Sequence, residues 1–297
     1  MNILNINSEF PQNVSLILGF FDGVHAGHRK VIESAVNYAK SHNSKTVLVT
    51  FKDSPAAYFK RKDIVEYISP REVSYNIVEN LGVDFIFESN FEDLVSLDAS
   101  EYLENFLIKR FSPISISTGF NHTFGNNKSG DSNLLEAGQE KFNYKYFCAP
   151  PLLYGENIVS STYIKELLKK GDIVTANLLL KNKFSLQSTV IDGLKLGRKL
   201  GYPTANMDYP KNIIKIPYGV YKVIVDNKSS LLNWGSKPTV NGKEEILEVH
   251  ILDFNEDLYG KTLKVEVVQK LRDEKKFDSL EELKCQIKKD IELCSKL

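Results

Sequence analysis

The first half of the chain alternates short apolar runs with amphipathic stretches. VSLILGF (Val14 to Phe20), TVLVTF (Thr46 to Phe51), VDFIFE (Val83 to Glu88) and ISIST (Ile114 to Thr118) read as buried strands. HRKVIESAVNYAKSH (His28 to His42), REVSYNIVENLG (Arg71 to Gly82) and SEYLENFLIKRF (Ser100 to Phe111) carry apolar residues at helical spacing. Strands alternating with helices predict a parallel sheet covered on both faces, with ligands at the carboxyl ends of its strands. After Lys183 the rhythm changes. STVIDG, YGVYKVIVDN, PTVNG, ILEVHILDF and KTLKVEVVQKLR are strand patterns separated by turn residues. They predict an antiparallel barrel or sandwich. The chain closes with a helix in which Ser279 and Glu282 form a capping-box pattern. Leu280, Leu283, Ile287, Ile291 and Cys294 recur on one face, expected to pack on the barrel. The expected division is thus 1–183 and 184–297.

Two domains suit a length of 297 residues. Lys plus Arg and Asp plus Glu both number 38. Zero net charge argues against a nucleic-acid or anionic-membrane partner, which calls for a basic excess. The opening MNILNINSEFPQN lacks a basic start and an apolar core, and no run reaches membrane-spanning length, so a cytoplasmic protein is expected. Cys148, Cys285 and Cys294 fit neither a disulfide framework nor a zinc site and are read as reduced, packed thiols.

Two stretches carry chemistry. LGFFDGVHAGHRKVI follows a strand and opens a helix. Gly19, Gly23 and Gly27 allow a tight turn, Phe20 and Asp22 lie within it, and the helix expected to begin at His28 aims its N–H groups at an anion. His25 and His28, one helical turn apart, can donate hydrogen bonds to phosphate oxygens. GLKLGRKLGYPTANM holds Gly197, Lys199 and Gly201 in a stretch suited to a phosphate cradle, followed by Thr204 and Asn206, hard oxygen donors that suit Mg²⁺. Glu248 interrupts an apolar strand and reads either as a solvent-facing carboxylate or as a base facing a ligand. TGFNHTFGNNKSG after the fourth strand offers Asn121 and Phe124 to a planar ligand with a polar edge, or is a plain surface loop.

These motifs carry a family resemblance. G-F-F-D-G-V-H-A-G-H resembles the nucleotidyltransferase signature, and V-S-S-T-Y-I-K resembles its partner I-S-S-T-x-I-R. G-R-K-L-G-Y-P-T-A-N, Y-G-V-Y, P-T-V-N-G, E-V-H-I-L-D-F, L-Y-G-K and L-R-D-E-K-K-F resemble riboflavin kinase, in order. Essentially the whole chain is similar to bifunctional bacterial riboflavin kinase/FAD synthetases. The resemblance implies a Rossmann-like nucleotidyltransferase domain followed by a β-barrel kinase domain. It implies phosphorylation of riboflavin to FMN and adenylation of FMN to FAD, both with ATP and Mg²⁺. Carried over, Glu248 is the kinase base, and Thr204 and Asn206 hold the metal. His25, His28 and Lys165 stabilise the phosphates of adenylyl transfer. Gly19, Phe20, Asp22, Gly23, Gly27, Ser161, Thr162, Gly197, Lys199 and Gly201 contact ATP. Asn121, Phe124 and Arg272 contact flavin.

Lys165 stands where the family has Arg, Trp234 and Lys237 alter N-I-G-x-R-P-T, and Ser54 replaces the histidine of T-F-D-P-H-P. Lysine keeps the charge but loses the bidentate fork. A kinase with a weak adenylyltransferase half is therefore one alternative, and a non-catalytic flavin-binding regulator another. Glu248 with P-T-A-N speaks against the second, because binding alone needs neither. The sequence leaves self-association open.

Overall fold

The computed structural model describes residues 2–59, 65–192, 197, 200–239, 242–254 and 256–296, with side chains at 237–239 and 242–244 left aside. Contacts divide it into two compact units, 1–65 with 71–161, and 66–70 with 162–297.

The first unit holds a six-stranded sheet. Its strands are β1 (Asn2–Leu4), β2 (Ser15–Leu18), β3 (Thr46–Phe51), β4 (Phe85–Ser89), β5 (Ser115–Gly119) and β6 (Lys145–Ala149). They run in the order β1-β4-β3-β2-β5-β6, all parallel. Both faces are covered, which explains the unbroken apolar strands. Ile17, Leu48 and Ile86 pack with Val31, Ile32, Ala35 and Val36 of the helix Ala26–Ser41. Leu16, Leu18, Val47, Val49 and Phe87 face the other way, onto Leu103, Phe106, Leu107, Phe111 and Leu135. The chain winds outward from β2 through β3 to β4, then returns to place β5 on the opposite side of β2. That reversal creates a crevice beyond the carboxyl end of β2, the usual ligand position in such sheets.

Several elements depart from the expected ranges. The helix read as Ser100 to Phe111 becomes three pieces, Ala99–Glu101, a π-helical stretch Tyr102–Ile108 and Lys109–Phe111. Asp98 and Glu101 supply its capping box. Ser132–Phe142, read as the end of a loop, is a helix capped by the Asp131 carboxylate. β1, β6 and the hairpin of β7 (Leu153–Tyr154) with β8 (Asn157–Ile158) were not anticipated.

The second unit is a closed antiparallel barrel in the order β10-β13-β12-β11-β14-β9. Its strands are β9 (Phe184–Ile191), β10 (Ala205–Met207), β11 (Gly219–Val225), β12 (Lys228–Thr239), β13 (Gly242–Ile251) and β14 (Thr262–Asp273). Tyr221, Val223, Leu232, Trp234, Leu247, Val249, Val265 and Val267 are buried at alternate positions. On the other face Val220 and Leu231 pack with Cys294 beneath the helix Leu280–Lys296. That helix buries less apolar surface than its stripe promised. Leu280 is exposed, Leu283, Ile287 and Ile291 are half-buried, and the residues fully covered are Asp290 and Cys294. Among the cysteines only Cys294 packs; Cys148 and Cys285 are exposed.

The division at Ser161/Thr162 precedes the expected boundary at Lys183 for a physical reason. The helix Ile173–Leu180 belongs to the barrel: the Asn177 amide donates to the Val267 carbonyl at 2.8 Å and accepts from the Phe184 N–H at 2.7 Å. Tyr67 also joins this unit, donating to the Asn212 carbonyl and accepting from the Ile214 N–H. A fragment starting at Phe184 loses the first of these supports. It is expected to melt several degrees below one starting at Thr162, as loss of about 1–2 kcal/mol of buried hydrogen bonding predicts. Calorimetry of the two fragments checks this; equal midpoints refute it.

Candidate active sites

In the first unit, β2 ends at Leu18 and the chain turns through Gly19, Phe20 and Phe21 into a 3₁₀ turn, Asp22–Val24. The Gly19 N–H donates to the Val49 carbonyl, anchoring the turn to β3. Asp22, Gly23, Val24 and His25 are buried. The helix starts at Ala26, earlier than the expected His28, because His25 is its N-cap. The His25 Nδ1 accepts a hydrogen bond from the His28 N–H at 3.3 Å. This cap fixes the tautomer: with Nδ1 accepting, the proton of neutral His25 sits on Nε2. The two imidazoles stack, centroids 3.6 Å apart and 18° between planes. A Cβ on Gly27 would lie 3.2 Å from the His25 ring, so glycine there admits the stacked imidazole.

Burial lowers the His25 pKa to about 4. His28 is held well below the ordinary imidazole value, first by burial and then by the neighbouring His25. Both rings are therefore neutral at pH 7 before a ligand binds. The His28 Nδ1 is enclosed and has no partner among the described residues. An anion bound here favours the protonated forms and raises both pKa values. Ser161 opens the helix Ser161–Lys170, and its hydroxyl donates to the Asp22 carbonyl at 3.2 Å. The second signature thus begins against the first. Thr162 is exposed, and the Lys165 ammonium lies 5.9 Å from the Tyr67 ring centroid.

A separate cavity of about 400 Å³ lies in the same unit, bounded by Phe51, Pro55, Phe59, Phe91, Tyr102 and Phe124. Phe91 meets Phe51 and Phe59 edge-on, with centroids 5.2 and 5.6 Å away. This is the size and lining of a site for a flat ligand. Phe124 is pinned by paired backbone hydrogen bonds to Gly130, both 3.0 Å. Asn121, expected to contact flavin, is exposed in the same loop and forms no part of the cavity wall. Ser54, where the family has histidine, is buried, and its hydroxyl accepts from the Ala57 N–H at the start of the helix Pro55–Phe59. Sequence reading missed Phe59, Phe91 and Tyr102, whose apolar character is indistinguishable from core before the loops are placed.

In the barrel, register places Asn206 of β10 and Asn233 of β12 on either side of Glu248 of β13. Cross-strand partners lie on one face with Cβ atoms about 5 Å apart. Their neighbours Ala205, Met207, Leu232, Trp234, Leu247 and Val249 are buried, so Asn206, Asn233 and Glu248 occupy the barrel's outer face. His250, two residues beyond Glu248, shares that face. Its Nδ1 donates to the Pro203 carbonyl at 2.7 Å, tethering the P-T-A-N segment to β13. Only the i, i+2 spacing of Glu248 and His250 could have signalled this.

Thr204 instead lines a cavity of about 380 Å³ with Gly201, Pro203, Ala205, Val249 and Phe254. Gly197 is required by close approach, since a Cβ would fall 2.3 Å from the Tyr202 carbonyl oxygen. Lys199 lies outside the described residues. Arg272 is already engaged: its Nε and Nη2 donate to the Asp290 carboxylate at 2.9–3.1 Å, and its Nη1 to the Asp273 carbonyl. Asp290 also accepts from Gln286 at 2.8 Å.

Residues 7–163 match the FAD synthetase family and residues 180–297 the riboflavin kinase family. A bifunctional riboflavin kinase/FMN adenylyltransferase of Buchnera aphidicola subsp. Schizaphis graminum is 35% identical, covering 99% of this chain and 96% of its own. The Haemophilus influenzae and Bacillus subtilis proteins of the same name are each 32% identical, over 95% and 93% of this chain and 93% and 89% of theirs. A crystal structure described as a macrolide-efflux protein from Streptococcus pneumoniae aligns over 100% of both chains, with a TM-score of 0.88 and 27% identity. Among the described residues no helix is long and apolar enough to cross a membrane. A Rossmann-like sheet bearing the stacked histidines, a barrel bearing Glu248 beside Asn206, and near-full-length similarity place this chain in the bifunctional riboflavin kinase/FMN adenylyltransferase family.

Proposed function

We propose that the protein makes FMN from riboflavin and then FAD from FMN, using ATP twice. In the barrel, the riboflavin 5′-hydroxyl oxygen attacks the γ-phosphorus of ATP, the bond to ADP breaks, and Glu248 takes the hydroxyl proton. In the sheet unit, an FMN phosphate oxygen attacks the α-phosphorus of ATP and pyrophosphate leaves. That nucleophile is already ionised at pH 7, so no base is needed. Two neutral imidazoles, set where the second signature begins at Ser161, suit donation to phosphoryl oxygens. The aromatic cavity around Phe59 and Phe124 suits the flavin of this step.

The observation that carries the reading is the Glu248–Asn206 pair, a carboxylate beside a hard amide oxygen, placed next to a tethered P-T-A-N segment. Asn206 beside Glu248 fits Mg²⁺ chemistry as a neutral oxygen donor, and Thr204 offers a second such oxygen from the neighbouring cavity. Among the described residues no cluster of three His, Cys, Asp or Glu could hold a metal alone, so triphosphate and water would supply the remaining ligands. Bound there, Mg²⁺ neutralises charge on the phosphates. Chromatography of the products of riboflavin, ATP and Mg²⁺ tests the proposal: FMN and FAD are expected, FMN alone refutes the adenylyl step, and neither refutes both.

A further inference from the structure

His122 is a polar side chain in the wall of the aromatic cavity that the two reactions leave without a task. Its ring lies 5.9 Å from that of Phe124, tilted by 25°. Its Nε2 is enclosed, and no group among the described residues satisfies it. Buried ring nitrogens normally find partners, because leaving one unmade costs more than a made bond returns. Burial also lowers the His122 pKa to about 4, so the imidazole enters ligand binding uncharged. An uncharged ring can accept through one nitrogen and donate through the other, and rotation about χ2 exchanges which faces the cavity.

Phe51, Phe59, Phe91, Tyr102 and Phe124 supply stacking surface, and Thr123, Asn126, Asn127 and Lys128 line the same cavity. Stacking recognises a flat ring but not its heteroatoms. A site of this kind owes its orientation to a few placed polar groups.

We propose that His122 is a specificity-determining residue for FMN, its imidazole nitrogen hydrogen-bonding a heteroatom on the isoalloxazine edge. The inference rests on the aromatic cavity being the flavin site. His122 thereby selects nitrogen-bearing flavin rings over isosteres that only stack.

The test is steady-state adenylation by the full chain of FMN, of 5-deaza-FMN, which lacks N5, and of 3-methyl-FMN, in which N3 cannot donate. His122→Phe keeps an aromatic ring and removes both nitrogens. Phe59→Ala, at a residue 67% exposed, probes the cavity without threatening the core. Retained riboflavin phosphorylation and thermal midpoint certify each variant as folded. The expected result is a 3- to 10-fold rise in KM for FMN in His122→Phe, the scale of one neutral hydrogen bond. The KM for ATP should not move, and the wild-type preference for FMN over at least one analogue should disappear. If Phe59→Ala raises the KM for FMN while His122→Phe does not, the role of His122 is overturned and the flavin cavity stands. A raised KM with analogue preference intact overturns it also, as a packing effect. If neither variant moves the KM for FMN, the cavity is not the flavin site and both readings fall.

Discussion

Replacing His28 with alanine is expected to lower FAD formation about 10²- to 10³-fold, the usual loss for one donor aimed at developing phosphoryl charge. FMN formation by the same preparation should be unchanged, since Glu248 and Asn206 lie in the other unit. The helix should persist, because its cap uses the His28 backbone N–H, which alanine retains. Separate assays with riboflavin and with FMN read the two steps. Intact FAD formation would reduce the stacked histidines to a structural turn. Lys165→Arg restores the family's planar fork and is expected to preserve or raise FAD formation.

Glu248→Gln is expected to lower FMN formation by about 10²-fold or more, the scale of removing a general base. Glutamine keeps the size and the hydrogen-bonding edge, so the β10–β13 register should hold. Riboflavin binding, followed by fluorescence, should survive, and adenylation of supplied FMN should be untouched. A folded variant with near-normal kinase turnover would remove Glu248 from the chemistry and leave it as an outer-face carboxylate. The two substitutions together form a double dissociation, each slowing one step while sparing the other when its own substrate is supplied.

Much of the fold was readable along the chain because its signals are local. The buried strands β2, β3, β4 and β5 are apolar runs between turn residues, and each was found within two residues at either end. The histidine loop was readable because glycine, aspartate and histidine crowd a strand end. What escaped depends on partners distant in sequence. Asp290 sits on the apolar side of the last helix, and its burial makes sense only with Arg272, 18 residues earlier. The helix Ser132–Phe142 did carry a local signal, Asp131 two residues before Asn133, but the surrounding glycines and asparagines read more strongly as loop. His122 and His250 look alike as isolated imidazoles. Tertiary placement alone gives one a carbonyl and leaves the Nε2 of the other without a partner among the described residues.

The pairing of Tyr67 with Asn212 and Ile214 has a consequence during synthesis. Residues 66–70 leave the ribosome early, yet the segment they pair with follows some 145 residues later. At about 5–20 residues per second, the wait is roughly 7–30 s. For that interval the parallel sheet can complete itself through β6, while Tyr67 waits for the two backbone hydrogen bonds it makes with Asn212 and Ile214. The barrel, last to emerge, then takes up a short piece of chain made long before it.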